Sequence, residues 1–242
     1  MRLHNRSDMK SNIAISRLKR DAKKLAKHTN ISHYKALNQI ALQHGYKNWG
    51  LLIRHHAEIS SSFLNDVDLK RGSLVMVAGR PGNGKTVLSL KLIYSMVKIG
   101  WRAVFLSLEY TVHDLVETLA RNVIALKNAN GSFVFDDNDA ISSDYIIETY
   151  GSRFGNCVFV VDYLQLLDQD RSKPTLQDQI VALKRFAETN DVVIIFLSQI
   201  DRKFELSEKA LPEQSDIRLP NPLDTGLFDQ IYYAKDGELV AA

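Results

Sequence analysis

The apolar positions change their period once along the chain. In "SNIAISRLKRDAKKLAKH" (11–28), Ile15, Leu18, Ala22 and Leu25 recur at helical spacing, while Arg17, Arg20, Lys23, Lys24 and Lys27 cover much of the rest. "ISHYKALNQIALQHG" (31–45) predicts a second helix, with Ser32 as N-cap and Gly45 as its stop. "YKNWGLLIRHH" begins a third, capped by Asn48. The stretch 57–66, "AEISSSFLND", is short, serine-containing and aperiodic, and reads as a linker. Beyond it, apolar runs alternate with amphipathic ones. Strands are expected at 73–79, 102–109, 157–162 and 192–199, and helices at 85–100, 112–127 and 176–190. Residues 128–156, with "DDNDA", read as an irregular acidic surface stretch. Near-continuous apolar strands separated by helices predict an α/β fold, with a mostly parallel sheet covered on both faces. The expected domains are a basic helical module (1–58), a linker (59–68) and the α/β domain (69–242).

Composition adds limits. With 45% hydrophobic and 24% charged residues, the chain is an ordinary globular one. The polar start "MRLHNRSDMK" has no apolar core of a signal peptide, and "VVIIFL" (192–197) is too short to cross a bilayer. A cytoplasmic location and no membrane partner are expected. Cys157, alone, excludes an internal disulfide and belongs to a buried strand.

Charge is unevenly divided. Residues 1–60 hold 12 Lys and Arg against 3 Asp and Glu, a balance of +9, and the rest of the chain holds 19 against 25. A basic module points to a polyanionic partner. Ala41 and Gly45 have the small-residue spacing of a helix-turn-helix corner. Two readings stay open for this module: DNA contact through Arg17, Arg20 and Lys24, or oligomerisation and docking.

The chemistry centres on "VAGRPGNGKTVLSL" (77–90). Gly79, Gly84, Lys85 and Thr86 fit the phosphate-binding pattern between a strand and a helix. Glycines let backbone N–H groups turn inward around phosphates, and the helix N-terminus adds its positive dipole end. The loop Gly79, Arg80, Pro81, Gly82, Asn83, Gly84, with Lys85, Thr86 and Val87, is the expected ATP-binding element. Lys85 would reach the β- and γ-phosphates, and the Thr86 hydroxyl would ligate Mg²⁺. Asp162, after the apolar run of "CVFVVD", is the expected carboxylate for the metal. Glu109, closing "RAVFLSLE", is placed to direct the attacking water, and Gln199 to sense the γ-phosphate.

"GRPGNGKT", "FLSLEYT", "VVDYLQLL", "LKRFAETNDVVIIFLSQIDRKFE" and "LPEQSDIR" occur in the order of motifs in the ATPase domain of DnaB-type replicative helicases, which residues 60–235 resemble. The resemblance implies a RecA-like fold, ATP and Mg²⁺, and single-stranded DNA as the polyanion, with single- or double-stranded DNA the expected partner of the whole chain. It gives Glu109 the role of activating water, Asp162 that of holding Mg²⁺, and Gln199 that of coupling nucleotide state to DNA-facing loops. Those loops would be 168–175, with Arg171 and Lys173, and 201–214, with Arg202, Lys203 and Lys209. The basic N-terminal module does not resemble the primase-interacting domain of that family. Family members end in a basic Lys-x-Arg element that reaches a neighbour's ATP site, whereas this sequence ends "FDQIYYAKDGELVAA". Arg218 is the candidate substitute as a trans-acting finger.

Two functions compete on these features. One is a DNA helicase or translocase, hexameric if a motor. The other is a slow ATP-dependent switch or loader that binds DNA or a replication partner, with weak basal hydrolysis and little strand separation. A small-molecule kinase would use the same loop but leaves "DYLQLL" unexplained.

Overall fold

The computed structural model describes residues 15–53, 67, 69–122, 124, 126, 131–151, 155–168, 173–206, 209, 211–219 and 221–242. The chain divides into two compact units, 1–66 and 67–242. Among the described residues, no helix is long and apolar enough to cross a membrane.

The first unit is helical. α1 (Ile15–Thr29) and α2 (His33–Gln43) are followed by a helical segment at 49–53. Ser32 is the N-cap of α2 and accepts from the Lys35 N–H at 3.3 Å. Asn48 Oδ1 accepts from the Leu51 N–H at 2.8 Å, which caps the third segment. Leu18 and Ala22 of α1 bury against Ala36, Ile40 and Ala41 of α2 and Leu52. Asn38 Oδ1 takes the Trp49 N–H at 2.9 Å, and so ties α2 to the turn that follows it.

The second unit is a seven-stranded sheet in the order β3-β2-β4-β5-β1-β6-β7. The strands are β1 (Leu74–Gly79), β2 (Arg102–Ser107), β3 (Phe133–Asp136), β4 (Cys157–Asp162), β5 (Val193–Gln199), β6 (Gln230–Lys235) and β7 (Glu238–Ala241). All neighbours pair in parallel except β6 and β7. β1 and β4 are buried at every position, as continuous apolar runs in a doubly covered sheet should be. Leu74, Met76 and Ala78 of β1 pack into one cluster with α5 (Ser143–Tyr150) and α6 (Leu176–Asn190). On the other face lies α3 (Lys85–Lys98), which touches β1, β2, β4 and β5. Cys157 is fully buried, and burial pushes its thiol up to about 12.

Three expectations need correction. β2 ends at Ser107 rather than Glu109, because Ser107 Oγ accepts the Glu109 N–H at 3.1 Å and turns the chain out of the ladder. α4 (Val112–Arg121) stops well before residue 127. There the Asn122 side chain donates to Thr118 O at 2.8 Å, and the Ile124 N–H turns back to Leu119 O at 2.9 Å. The stretch 128–156 is not simply irregular, since it contains β3 and α5. Asp136 at the end of β3 accepts from the Tyr145 and Tyr150 hydroxyls at 2.9 and 2.6 Å, which fastens the short edge strand to α5.

Candidate nucleotide-binding site

The carboxyl ends of β1, β2, β4 and β5 share one edge of the sheet, where open α/β folds present their ligands. Gly79 ends β1. A Cβ there would lie 3.0 Å from Ala234 Cβ and 3.2 Å from Ala234 O, so only glycine fits this close approach. The loop then turns through Gly82 and Gly84, both in the left-handed region at φ of 82° and 80°. Asn83 Nδ2 donates to Ala234 O at 3.2 Å and moors the loop to β6. Pro81 and Gly82 are exposed, and Arg80 and Val87 are partly covered. Gly84 is the N-cap of α3 and carries no side chain, which leaves the first N–H groups of the helix open to an anion.

Lys85 Nζ donates to Gly79 O at 3.0 Å and to Arg80 O at 3.2 Å, bent back over its own loop. Burial lowers its pKa, and the charges of Asp162 and Glu109 partly restore it. Thr86 Oγ1 donates to Asp162 Oδ2 at 3.0 Å. Asp162 is 2% exposed, and burial pushes its carboxyl up to about 6. The Thr86 hydrogen bond and the Lys85 charge pull it down, and the Glu109 charge adds to the upward push. A buried acid raised in this way is poorly compensated by its surroundings. It is therefore a natural partner for a hard cation, which would stabilise the carboxylate.

Glu109 stands outside the strand on an exposed turn. Its N–H is fixed by Ser107 Oγ, and Ser107 is in register with Asp162. β5 lies between β4 and β1 and delivers Gln199 opposite Gly79. Gln199 O accepts the Arg218 N–H at 2.7 Å, and Ile200 pairs with Ile217. The loop after β5 is thus closed at its base beside Gln199. Lys85, Thr86, Asp162, Glu109 and Gln199 accordingly converge on one edge.

The other sequence candidates lie elsewhere. Arg171 and the Arg17 side chain fall outside the described residues. Lys173 donates to Ile141 O at 2.9 Å, and Lys209 pairs with Glu213 at 3.0 Å and Asp216 at 3.6 Å. Arg202, Lys203 and Arg218 are exposed, as are Arg20 and Lys24 of the first unit. The buried Gln179 side chain donates to Leu167 O, just before the 168–175 loop, and to Pro174 O near its end. Sequence reasoning missed Ser107, whose hydroxyl fixes the Glu109 backbone. A polar residue inside the apolar run "VFLSLE" was the signal for it.

Residues 121–224 match the family model of the DnaB-like helicase C-terminal domain. The chain is 26% identical over 197 residues to a probable plasmid replicative DNA helicase of Chlamydia psittaci, covering 69% of this chain and 42% of that protein. It is 27% identical over 207 residues to the replicative DNA helicase DnaB of Geobacillus stearothermophilus, covering 70% and 46%. The chain thus spans less than half the length of these relatives. In fold it resembles a solved ATPase domain, with a TM-score of 0.56 and 23% identity over 79% of this chain and 91% of that one. A DnaB-like replicative helicase, solved for its interactions with primase, gives 0.58 and 20% over 94% and 72%. Segment 121–224 of the second unit is thus similar to the DnaB-like helicase C-terminal domain, and its mostly parallel sheet shares the fold of the solved ATPase domain and the DnaB-like replicative helicase.

Proposed function

We propose that this chain binds ATP with Mg²⁺ at the 79–87 loop and hydrolyses it as a DnaB-like ATPase acting on DNA, in cytoplasmic replication or mobile-element DNA metabolism. One observation carries the reading: the Thr86–Asp162 hydrogen bond at 3.0 Å, formed at the mouth of the glycine loop beside Lys85. Thr86 and Asp162 would hold the metal, which when bound neutralises charge on the phosphates. The open N–H groups of α3 and the Lys85 ammonium would bind and orient the phosphate chain. Glu109 would take the proton of the attacking water, its backbone held by Ser107. Gln199 would report the γ-phosphate to the loop anchored next to it at Arg218. Arg218 itself is exposed and is the proposed cation for a neighbouring copy, hexameric assembly being the form that a motor would take. The plasmid helicase relatives favour a replication setting, and a replication protein is the proposed further partner. Release of phosphate from ATP, with and without single-stranded DNA, tests the proposal. DNA is expected to raise the rate, and no release under either condition would refute it.

The exposed basic face of α1 carries the proposed DNA contact of the first unit. Arg20, Lys23, Lys24 and Lys27 are all exposed on it. Four phosphate contacts on a single strand give a slope of log affinity against log salt of about −3, so binding should fall roughly 50-fold between 50 and 200 mM salt. Changing these four residues to alanine in the intact chain is expected to flatten that slope. An unchanged slope, read by fluorescence anisotropy of labelled DNA, would remove the unit from nucleic-acid binding and leave it a docking module.

A further inference from the structure

The Arg218 side chain is exposed, yet its backbone is held on both sides. Ile217, just before it, is buried, and Leu219, just after it, packs against the same core. The Arg218 N–H donates to Gln199 O at 2.7 Å, which ties it to the end of β5. Its carbonyl accepts from Gln165 Nε2 at 2.8 Å. Gln165 stands in the short 3₁₀ helix Leu164–Asp168, which follows β4 and is sunk into the core by Leu164, Leu166 and Leu167. The bridge between Ile200 and Ile217, with the Asp201 N–H bonded to Asp216 O at 2.7 Å, continues the tie beyond Gln199. Peptide units are planar. Fixing the unit before the Arg218 Cα and the unit after it therefore fixes the direction in which the side chain leaves.

Stability does not account for the amide of Gln165. Its nitrogen is committed to Arg218 O, while Oε1 is buried with no hydrogen-bond partner among the described residues. Leaving a buried acceptor unpaired typically costs more than one hydrogen bond contributes on balance. Local rules broken in this way are expected at functional sites. What the bond does achieve is placement. It fastens Arg218 to the segment that leaves β4 after Asp162, as the Gln199 bond fastens it to β5.

We propose that Gln165 is a positioning residue for Arg218, holding its backbone so that the guanidinium is presented to the phosphates of a neighbouring copy. The inference rests on the proposed role of Arg218 as the cation for that neighbour. A guanidinium engages phosphate through a rigid fork of N–H groups, so its position matters as well as its charge. Misplacing a reacting group by about 1 Å can cost on the order of a hundredfold in rate. Gln165→Met removes the donor at nearly constant length, and the unpaired oxygen with it. The bond lies at an exposed position, so Arg218 O can take water instead and the fold should hold.

The test is complementation between two defective copies, co-purified through different tags and assayed for phosphate release with single-stranded DNA. Arg218→Ala has an intact site but no cation to give. Glu109→Gln holds nucleotide without cleaving it and still presents Arg218. Their mixture should cleave ATP at least about tenfold faster than the two proteins run apart. Adding Gln165→Met to the Glu109→Gln copy should cut that rate by about tenfold or more. Adding it to the Arg218→Ala copy instead should leave the complementation in place, and the unfolding midpoint should stay that of the parent. Complementation that survives Gln165→Met in the donating copy overturns the inference and leaves Arg218 as the cation. Equal loss from either copy also overturns it, because Gln165 would then act on its own site through Asp162. A lowered unfolding midpoint overturns it too, and makes Gln165 a structural tie. If the plain mixture shows no complementation, the role of Arg218 falls, and this inference with it.

Discussion

Lys85→Ala is expected to weaken ATP binding by roughly a hundredfold without unfolding the protein. The ammonium is partly buried, and burial lowers its pKa, so its charge is only partly hydrated. Removing one partner of a desolvated, hydrogen-bonded charge pair costs about 2–5 kcal/mol, and each 1.4 kcal/mol is about a factor of ten in affinity. The loop itself should persist. The bonds to Gly79 O and Arg80 O are lost, but Asn83 still moors it to Ala234 O, and Gly84 still starts α3. Titration with a fluorescent ATP analogue gives the affinity, and a thermal unfolding scan checks the fold. Unchanged affinity would mean that phosphates do not sit over Lys85.

Glu109→Gln is expected to separate binding from turnover. The side chain is exposed, and the Ser107 Oγ bond to its backbone N–H is indifferent to the change, so the turn should keep its shape. Glutamine cannot take a proton from water. Losing a positioned general base typically costs on the order of 10²–10⁴ in rate. ATP should then bind with near-parental affinity and be cleaved at least a hundredfold more slowly. The two quantities are read from one preparation, by nucleotide titration and by steady-state phosphate release. Parental turnover in Glu109→Gln would take the water-activating role away from this residue.

These two side chains illustrate what a sequence can carry. The meeting of Lys85, Thr86 and Asp162 was legible because a glycine loop after one apolar strand and a carboxylate at the end of another put them on the same sheet edge. β1, β4 and β5 were legible for a related reason, since strands buried on both faces need near-continuous apolar residues. β3 and α5 were not. "FVFD" is four residues long, and its place in the sheet depends on Asp136 meeting two tyrosines further along the chain. Glu109 was assigned to the right edge but to the wrong element, because Ser107, the last residue of β2, bonds the backbone two residues on and ends the strand there. Local periodicity reports burial, and chemical motifs report ligands. Contacts made by tertiary folding between ordinary residues leave neither mark.

Cleavage of ATP by this glycine loop and its carboxylates is best followed in a single turnover. Intact protein in excess over γ-labelled ATP is mixed with Mg²⁺, and released phosphate is followed with time, with parallel runs in EDTA and with Lys85→Ala. The parent protein should release phosphate, and the release should stop in EDTA and be lost in Lys85→Ala. ATP that stays bound but uncleaved in the parent, or release that persists in Lys85→Ala, would contradict it.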